Sequence, residues 1–259
     1  MATHDRVNAY LRHLVARLQM QLGSELIGVY ATGSFALGDF DARRSDLDLI
    51  AVTSGRIVRA RKERVVGALR HPSLPCPVRG LEFIVYRQAV TQTPTAEAAF
   101  ELNLNTGPLT RFRVDYRPDT VERHWFPIDR AIAAASGVAL WGPPAAELFA
   151  PMPRSLLIPV VRESLRWHLR RGASRDDDAV LNACRALRFV REGVWSSKGE
   201  AGRWALEYVP DPELVAQVLR SRDRKPAMDH HAAIGRERVE RLVGFVSTAA
   251  IRLSADHTA

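Results

Sequence analysis

Leu26–Val52 reads LIGVYATGSFALGDFDARRSDLDLIAV, and this stretch decides the fold. Leu26 to Ala31 is a short apolar run with β-branched and aromatic members, the pattern of a buried strand. Gly33, Gly38 and the polar segment Asp39 to Ser45 read as a loop, after which Asp46 to Val52 resumes a strand pattern. Two carboxylates two residues apart on a strand, Asp46 and Asp48, project from one face, while Leu47 and Leu49 take the other. On a helix the same spacing would point them roughly opposite ways, at about 100° per residue. Like charges side by side repel unless a cation sits between them, and oxygen-only ligands of this kind suit Mg²⁺ with phosphate completing its shell. Gly33-Ser34 offers what a polyphosphate needs opposite that metal. The glycine allows close backbone approach, and the serine adds a hydroxyl and an amide donor. The bland alternative makes both aspartates the end of a loop. Against it, Asp48 is flanked by Leu47, Leu49 and Ile50, where an unpaired charge is expensive to bury.

Working outward, Asp5 to Gly23 carries Val7, Tyr10, Leu11, Leu14, Val15 and Leu18 at helical spacing and ends at a glycine. Arg56 to His71 is basic and helical, with Val58, Val65, Val66 and Leu69 as its stripe and Pro72, Pro75 and Pro77 to end it. Gly80 to Tyr86 is a third strand, and Arg111 to Tyr116 is a candidate fourth. Glu82 interrupts the third strand. Set beside the aspartate strand, it could join a metal shell or take a proton as general base; at a sheet edge it would only face solvent.

Beyond about residue 125 the character changes. Ser155–Arg171, Asp176–Glu192, Ser197–Tyr208, Asp211–Arg220 and Ala232–Ser254 read as helices. Trp141-Gly142-Pro143-Pro144 is the linker candidate. The expected architecture is α+β, with a mixed-sheet domain over residues 1–144 and an all-helical domain over 145–259. A cleft between two such domains is a favoured place for ligands.

The 259 residues hold 37 Lys+Arg and 29 Asp+Glu, a formal charge of +8, with 46% hydrophobic and 25% charged residues. This is globular composition and excludes fibre and disorder. No apolar run reaches the roughly 18 residues of a membrane span, and the first residues lack the apolar core of a signal peptide. Cys76 and Cys184 lie too far apart for a local metal knuckle, and two cysteines are too few for a disulfide scaffold. A cytoplasmic, monomeric protein is expected. The positive surplus admits a nucleic-acid partner, a phosphate-bearing ligand, or simple solubility. His230-His231 lacks a second ligand pair at metal spacing and reads as a surface loop, and Trp204 reads as core packing.

Gly33-Ser34, an eleven-residue gap and Asp46-Leu47-Asp48 resemble the signature of the polymerase-β-type nucleotidyltransferase superfamily. The Glu82 strand stands where that superfamily has a third carboxylate. The helical half narrows the match. Val180-Leu181-Asn182-Ala183-Cys184-Arg185, Gly193, Ser197-Lys198 and Ala201-Gly202-Arg203-Trp204-Ala205 are similar to the C-terminal domain of aminoglycoside adenylyltransferases of the streptomycin/spectinomycin type. Ala139-Leu140-Trp141-Gly142-Pro143 is similar to the domain junction.

The resemblance implies an ATP- and Mg²⁺-dependent transfer of AMP to a hydroxyl of a small acceptor of aminoglycoside or aminocyclitol type, and hence antibiotic resistance. Asp46 and Asp48 would hold Mg²⁺, Glu82 would activate the acceptor, and Gly33, Ser34, Asn182, Arg185 and Lys198 would bind the nucleotide. Arginine is a bidentate phosphate ligand and lysine a point charge, so both suit departing pyrophosphate. Asn182 lies one turn before Arg185 on the same face. Arg188 and Arg191 nearby also fit a merely solvated basic face. The run Asp176-Asp177-Asp178 fits either an acidic acceptor pocket, with Trp167 and Trp195 as ring surfaces, or a helix N-terminus. Transfer to RNA or to a partner protein is the alternative; only scattered arginines, and no long basic and aromatic path, support RNA.

Overall fold

The computed structural model describes residues 3–172, 176–223 and 234–255. The chain divides into two compact units, Met1–Met152 and Pro153–Ala259. The first unit opens with α1 (Thr3–Leu22), then β1 (Leu26–Ala31), the one-turn helix α2 (Gly33–Ala36), β2 (Leu47–Thr53), α3 (Arg59–Leu69) and β3 (Leu81–Arg87). It continues through α4 (Gln88–Thr91), β4 (Leu102–Thr106), β5 (Arg113–Asp115), α5 (Trp125–Ser136), β6 (Val138–Trp141) and α6 (Ala145–Leu148).

The six strands form one mixed sheet in the order β5-β4-β3-β2-β1-β6. β2 and β3 run parallel, and every other pair is antiparallel. Strand alternation sends Leu47, Leu49, Ala51, Leu81, Phe83 and Val85 to one face, where they bury Leu11, Leu14 and Leu18 of α1 and Val65, Val66 and Leu69 of α3. The other face carries Tyr30, Ile50, Val52, Ile84 and Tyr86 against Phe126 and Ala133 of α5 and Ala145, Leu148 and Phe149. Both layers stabilise the sheet by excluding water from apolar area.

Two strands, the helix α5 and the one-turn helices α2, α4 and α6 escaped the sequence reading. β4 lies between β3 and β5, β6 closes the sheet beside β1, α5 precedes β6, and the candidate fourth strand is the fifth. The expected linker is a closed turn of the first unit. Trp141 pairs with Val29, and the Tyr30 hydroxyl donates to Pro143 O at 2.8 Å. Gly142 has φ +93°, and a Cβ there would collide with the backbone of Ile27 and Gly28. A division after residue 144 would cut Ala145, Leu148 and Phe149 from the core they complete, and the units part after Met152 instead.

The second unit contains α7 (Arg154–Arg170), α8 (Asp176–Glu192), α9 (Lys198–Ala205), α10 (Pro212–Asp223) and α11 (Arg236–Ala255). α8 is its centre, packing on the other four with Val180, Ala183, Cys184, Leu187 and Val190 buried. Gly202 lets α9 approach closely, since a Cβ there would press on Leu219 and Leu181. The start of the last expected helix and His230-His231 lie outside the described residues.

Candidate active site

In the first unit the site is built from the start of β2 and its neighbours. β2 begins at Leu47, so Asp46 stands one residue ahead of it, with its Oδ1 3.7 Å from Arg79 Nε. Asp48, half-buried, lies in register with Glu82 on the parallel strand β3. Register partners on adjacent strands share a face at about 4.8 Å. Glu82 is solvent-exposed although its strand is otherwise almost wholly buried. The sheet thus sets two carboxylates side by side on the face that also holds Ile50 and Ile84.

Gly33 completes this corner. Thr32 N donates to Asp48 O at 2.9 Å, which ties the start of α2 to β2. Gly33 has φ +56°, and a Cβ on it would collide with the Asp48 carboxylate. Only glycine meets both requirements. α2 then presents the first-turn amides of Gly33, Ser34 and Phe35, the positions that a helical turn leaves without intrahelical acceptors. Thr32, which the sequence reading passed over, is buried, and among the described residues its hydroxyl has no hydrogen-bond partner. The following loop is closed by its own charges. Arg43 donates to both Asp41 carboxylate oxygens at 2.9 and 2.7 Å, and the Arg43 guanidinium holds the Asp41 pKa down at about 2.

The second unit gathers the three nucleotide-binding candidates of the sequence reading into one polar cluster. Lys198 Nζ donates to Asp178 Oδ1 at 2.8 Å, and Asn182 Nδ2 to Asp178 O at 2.8 Å. Arg185 Nε donates to Ser196 O at 3.0 Å, and its other end reaches Asn182 Oδ1 at 3.5 Å. His168, unflagged by any sequence pattern, borders the same group. Burial lowers its pKa to about 4, helped by Lys198, Arg171 and Arg185 and opposed by Asp178.

The aspartate run divides by role. Asp176 is buried and accepts from Arg236, which also donates to Leu169 O, so it ties the ends of α7, α8 and α11 together. Asp178 neutralises Lys198. Of the two tryptophans, Trp195 stacks on Phe189 with ring centroids 4.2 Å apart, and Trp167 carries Arg171 over its ring. Trp204 is not core. Its indole N–H donates to Glu192 at 2.7 Å, and its ring leans on Tyr208. Arg188 also leaves the expected basic face, binding Glu192 and Glu200.

Among the described residues no group of three His, Cys, Asp or Glu side chains could hold a metal ion by itself. No helix among them is long and apolar enough to cross a membrane.

A carboxylate pair on a mixed sheet, followed by a helical unit with a basic cluster, makes a two-unit α+β architecture. Residues 147–248 match the model of the aminoglycoside adenylyltransferase C-terminal domain. Among solved structures the chain is similar to spectinomycin adenyltransferase AAD(9) from Enterococcus faecialis, crystallised with ATP and spectinomycin. The TM-score is 0.70 at 17% identity, over 94% of this chain and 98% of that one, a likeness of fold. No curated protein matches the sequence. Domain match and shared fold together support the aminoglycoside adenylyltransferase family, and with it a nucleotidyltransferase.

Proposed function

We infer that the protein moves AMP from ATP to a hydroxyl of a small aminoglycoside or aminocyclitol antibiotic, acting as a cytoplasmic monomer. The observation that carries this reading is the register pair Asp48–Glu82 beside Gly33, two carboxylates next to a turn that only glycine can make. The donor set fits Mg²⁺, which takes one or two carboxylates plus substrate phosphates rather than an all-protein cage. Asp46 and Asp48 would hold it, and when bound it supplies charge neutralisation at the triphosphate.

This chain's own residues do the rest. Ser34 and the α2 amides receive phosphate oxygens. Lys198 and Arg185 take the β- and γ-phosphates and Asn182 a neighbouring group, with Lys198 giving up Asp178 to do so. Glu82 accepts the proton of the attacking hydroxyl as the new oxygen–phosphorus bond forms at the α-phosphorus. The bond from that phosphorus to the bridging oxygen breaks, and pyrophosphate leaves with the electron pair. An acidic pocket for a polycation finds less support at Asp176, which is spent on Arg236 within the chain, whereas Asp178 is released when Lys198 turns to phosphate.

The test is adenylyl transfer to a panel of aminoglycosides and aminocyclitols, read as the AMP adduct and pyrophosphate by mass spectrometry. Spectinomycin leads the panel, as the ligand of the similar structure. Asp48→Asn should lower transfer by on the order of 10³-fold with its thermal unfolding unchanged. Full transfer by that variant would sink the mechanism, and a flat panel would remove the antibiotic as acceptor.

A further inference from the structure

The row that pairs Asp48 with Glu82 does not stop there. Glu82 is in register with Asn105 on β4, and Asn105 with Arg113 on β5. In the next row Ile84 faces Asn103, and Asn103 faces Asp115. The sheet face that is apolar over β1 to β3 therefore turns polar over β4 and β5. Asparagine is depleted in strands, and two at alternate positions put both amides on one face. Asn103 is buried and donates to Asp115 Oδ2 at 3.0 Å. Arg113 holds the same carboxylate at 2.9 and 3.2 Å, so the aspartate charge is already answered. Asn105 is half-buried, and among the described residues its amide makes no hydrogen bond within the chain.

We propose that Asn105 is a specificity-determining residue of the acceptor site, and that it reads a hydroxyl adjacent to the one that reacts. This rests on the reading of Glu82 as the base. Cross-strand partners have Cβ atoms about 4.5–5.5 Å apart, a span at which two short polar side chains meet neighbouring oxygens on one saturated ring. Glu82 takes the proton of one hydroxyl, and the Asn105 amide, donor and acceptor both, binds the next. Around them stand an amide and a closed ion pair, a surface matched to hydroxyls more than to ammonium groups. The acceptor class is thus a ring with a vicinal diol, held at the reacting end by the Glu82 carboxylate and the Asn105 amide.

The test compares Asn105→Ala with wild type on two probes, the panel acceptor that the wild type modifies fastest and its derivative lacking the hydroxyl beside the modified one. On the full acceptor the variant should raise KM about fivefold to tenfold, with the KM for ATP unchanged. The wild type should lose the same factor on the deoxy acceptor, and the variant should lose nothing further there. Asn105→Ser, which keeps a hydroxyl, should recover part of the loss. If the variant's loss is equal on both acceptors, or absent, the proposal falls while the transferase reading stands. If the wild type modifies no panel acceptor, the proposal falls together with the antibiotic assignment.

Discussion

The two candidate sites handle charge in opposite ways. In the sheet unit, strand register forces like charges together, with Asp48 directly beside Glu82. In the helical unit, the cations are already answered from within: Lys198 by Asp178, Arg188 by Glu192 and Glu200, Arg236 by Asp176. Like charges in register repel one another, a cost that a bound cation would relieve. Under the proposed function, the helical cluster would exchange partners before taking phosphate. A half-exposed pair such as Lys198–Asp178 contributes only about 0–1 kcal/mol, which makes that exchange cheap.

The sharpest way to break this contrast is to disturb the sheet corner without touching its charges. Gly33→Ala should lose roughly 10²-fold in transfer rate, because the new methyl displaces the Asp48 carboxylate. It should also cost about 1–2 kcal/mol in urea unfolding from the left-handed backbone alone. Wild-type turnover by this variant would mean that the corner is not preorganised. A smaller effect separates the partners in the helical cluster. Lys198→Ala should raise the KM for ATP about tenfold, whereas Asp178→Asn, which releases the lysine, should leave it unchanged or lower it. If both variants weaken ATP equally, the pair acts as a fixed unit and the idea of exchange is wrong.

The smallest effect concerns His168. The folded chain resists its protonation down to about pH 4, chiefly through burial, while the unfolded chain takes up the proton near the ordinary 6.5. Stability on this account is level above pH 6.5 and falls as pH drops from 6.5 to 4, because the unfolded state then binds more protons. The whole shift corresponds to at most about 3 kcal/mol, which solvent screening of the half-buried ring lowers. His168→Gln should flatten that part of a melting-temperature profile. An unchanged slope would assign the acid sensitivity to another group.

Much of the fold was legible because its periodicities are local. β1 and α8 run over the residues that alternation and helical spacing predict, Leu26–Ala31 and Asp176–Glu192. β4 was missed although Leu102-Asn103-Leu104-Asn105-Thr106 alternates, because asparagine argues against a strand unless a site needs it there. β6 was missed because Trp-Gly-Pro-Pro punctuation reads as a linker, and only its pairing with β1 shows the turn to be closed. Asp176 belongs to the same class of error. A buried aspartate and an exposed one have the same neighbours in sequence, and its partner Arg236 lies sixty positions on.

By itself the sequence determined which residue types could do chemistry. It gave two aspartates at strand spacing, a glycine-serine step before them, a glutamate inside an apolar strand, and an asparagine and an arginine one helical turn apart. These are local facts, set by how far each residue rotates the chain. Only the tertiary structure decided the company they keep: Asp48 beside Glu82, Glu82 beside Asn105, Asp48 over Gly33, and Lys198 on Asp178. Register between strands and packing between helices bring together residues far apart in the chain, and a one-residue slip would send each side chain to the opposite face. No local pattern carries that information, so the site became a site only when the sheet closed around it.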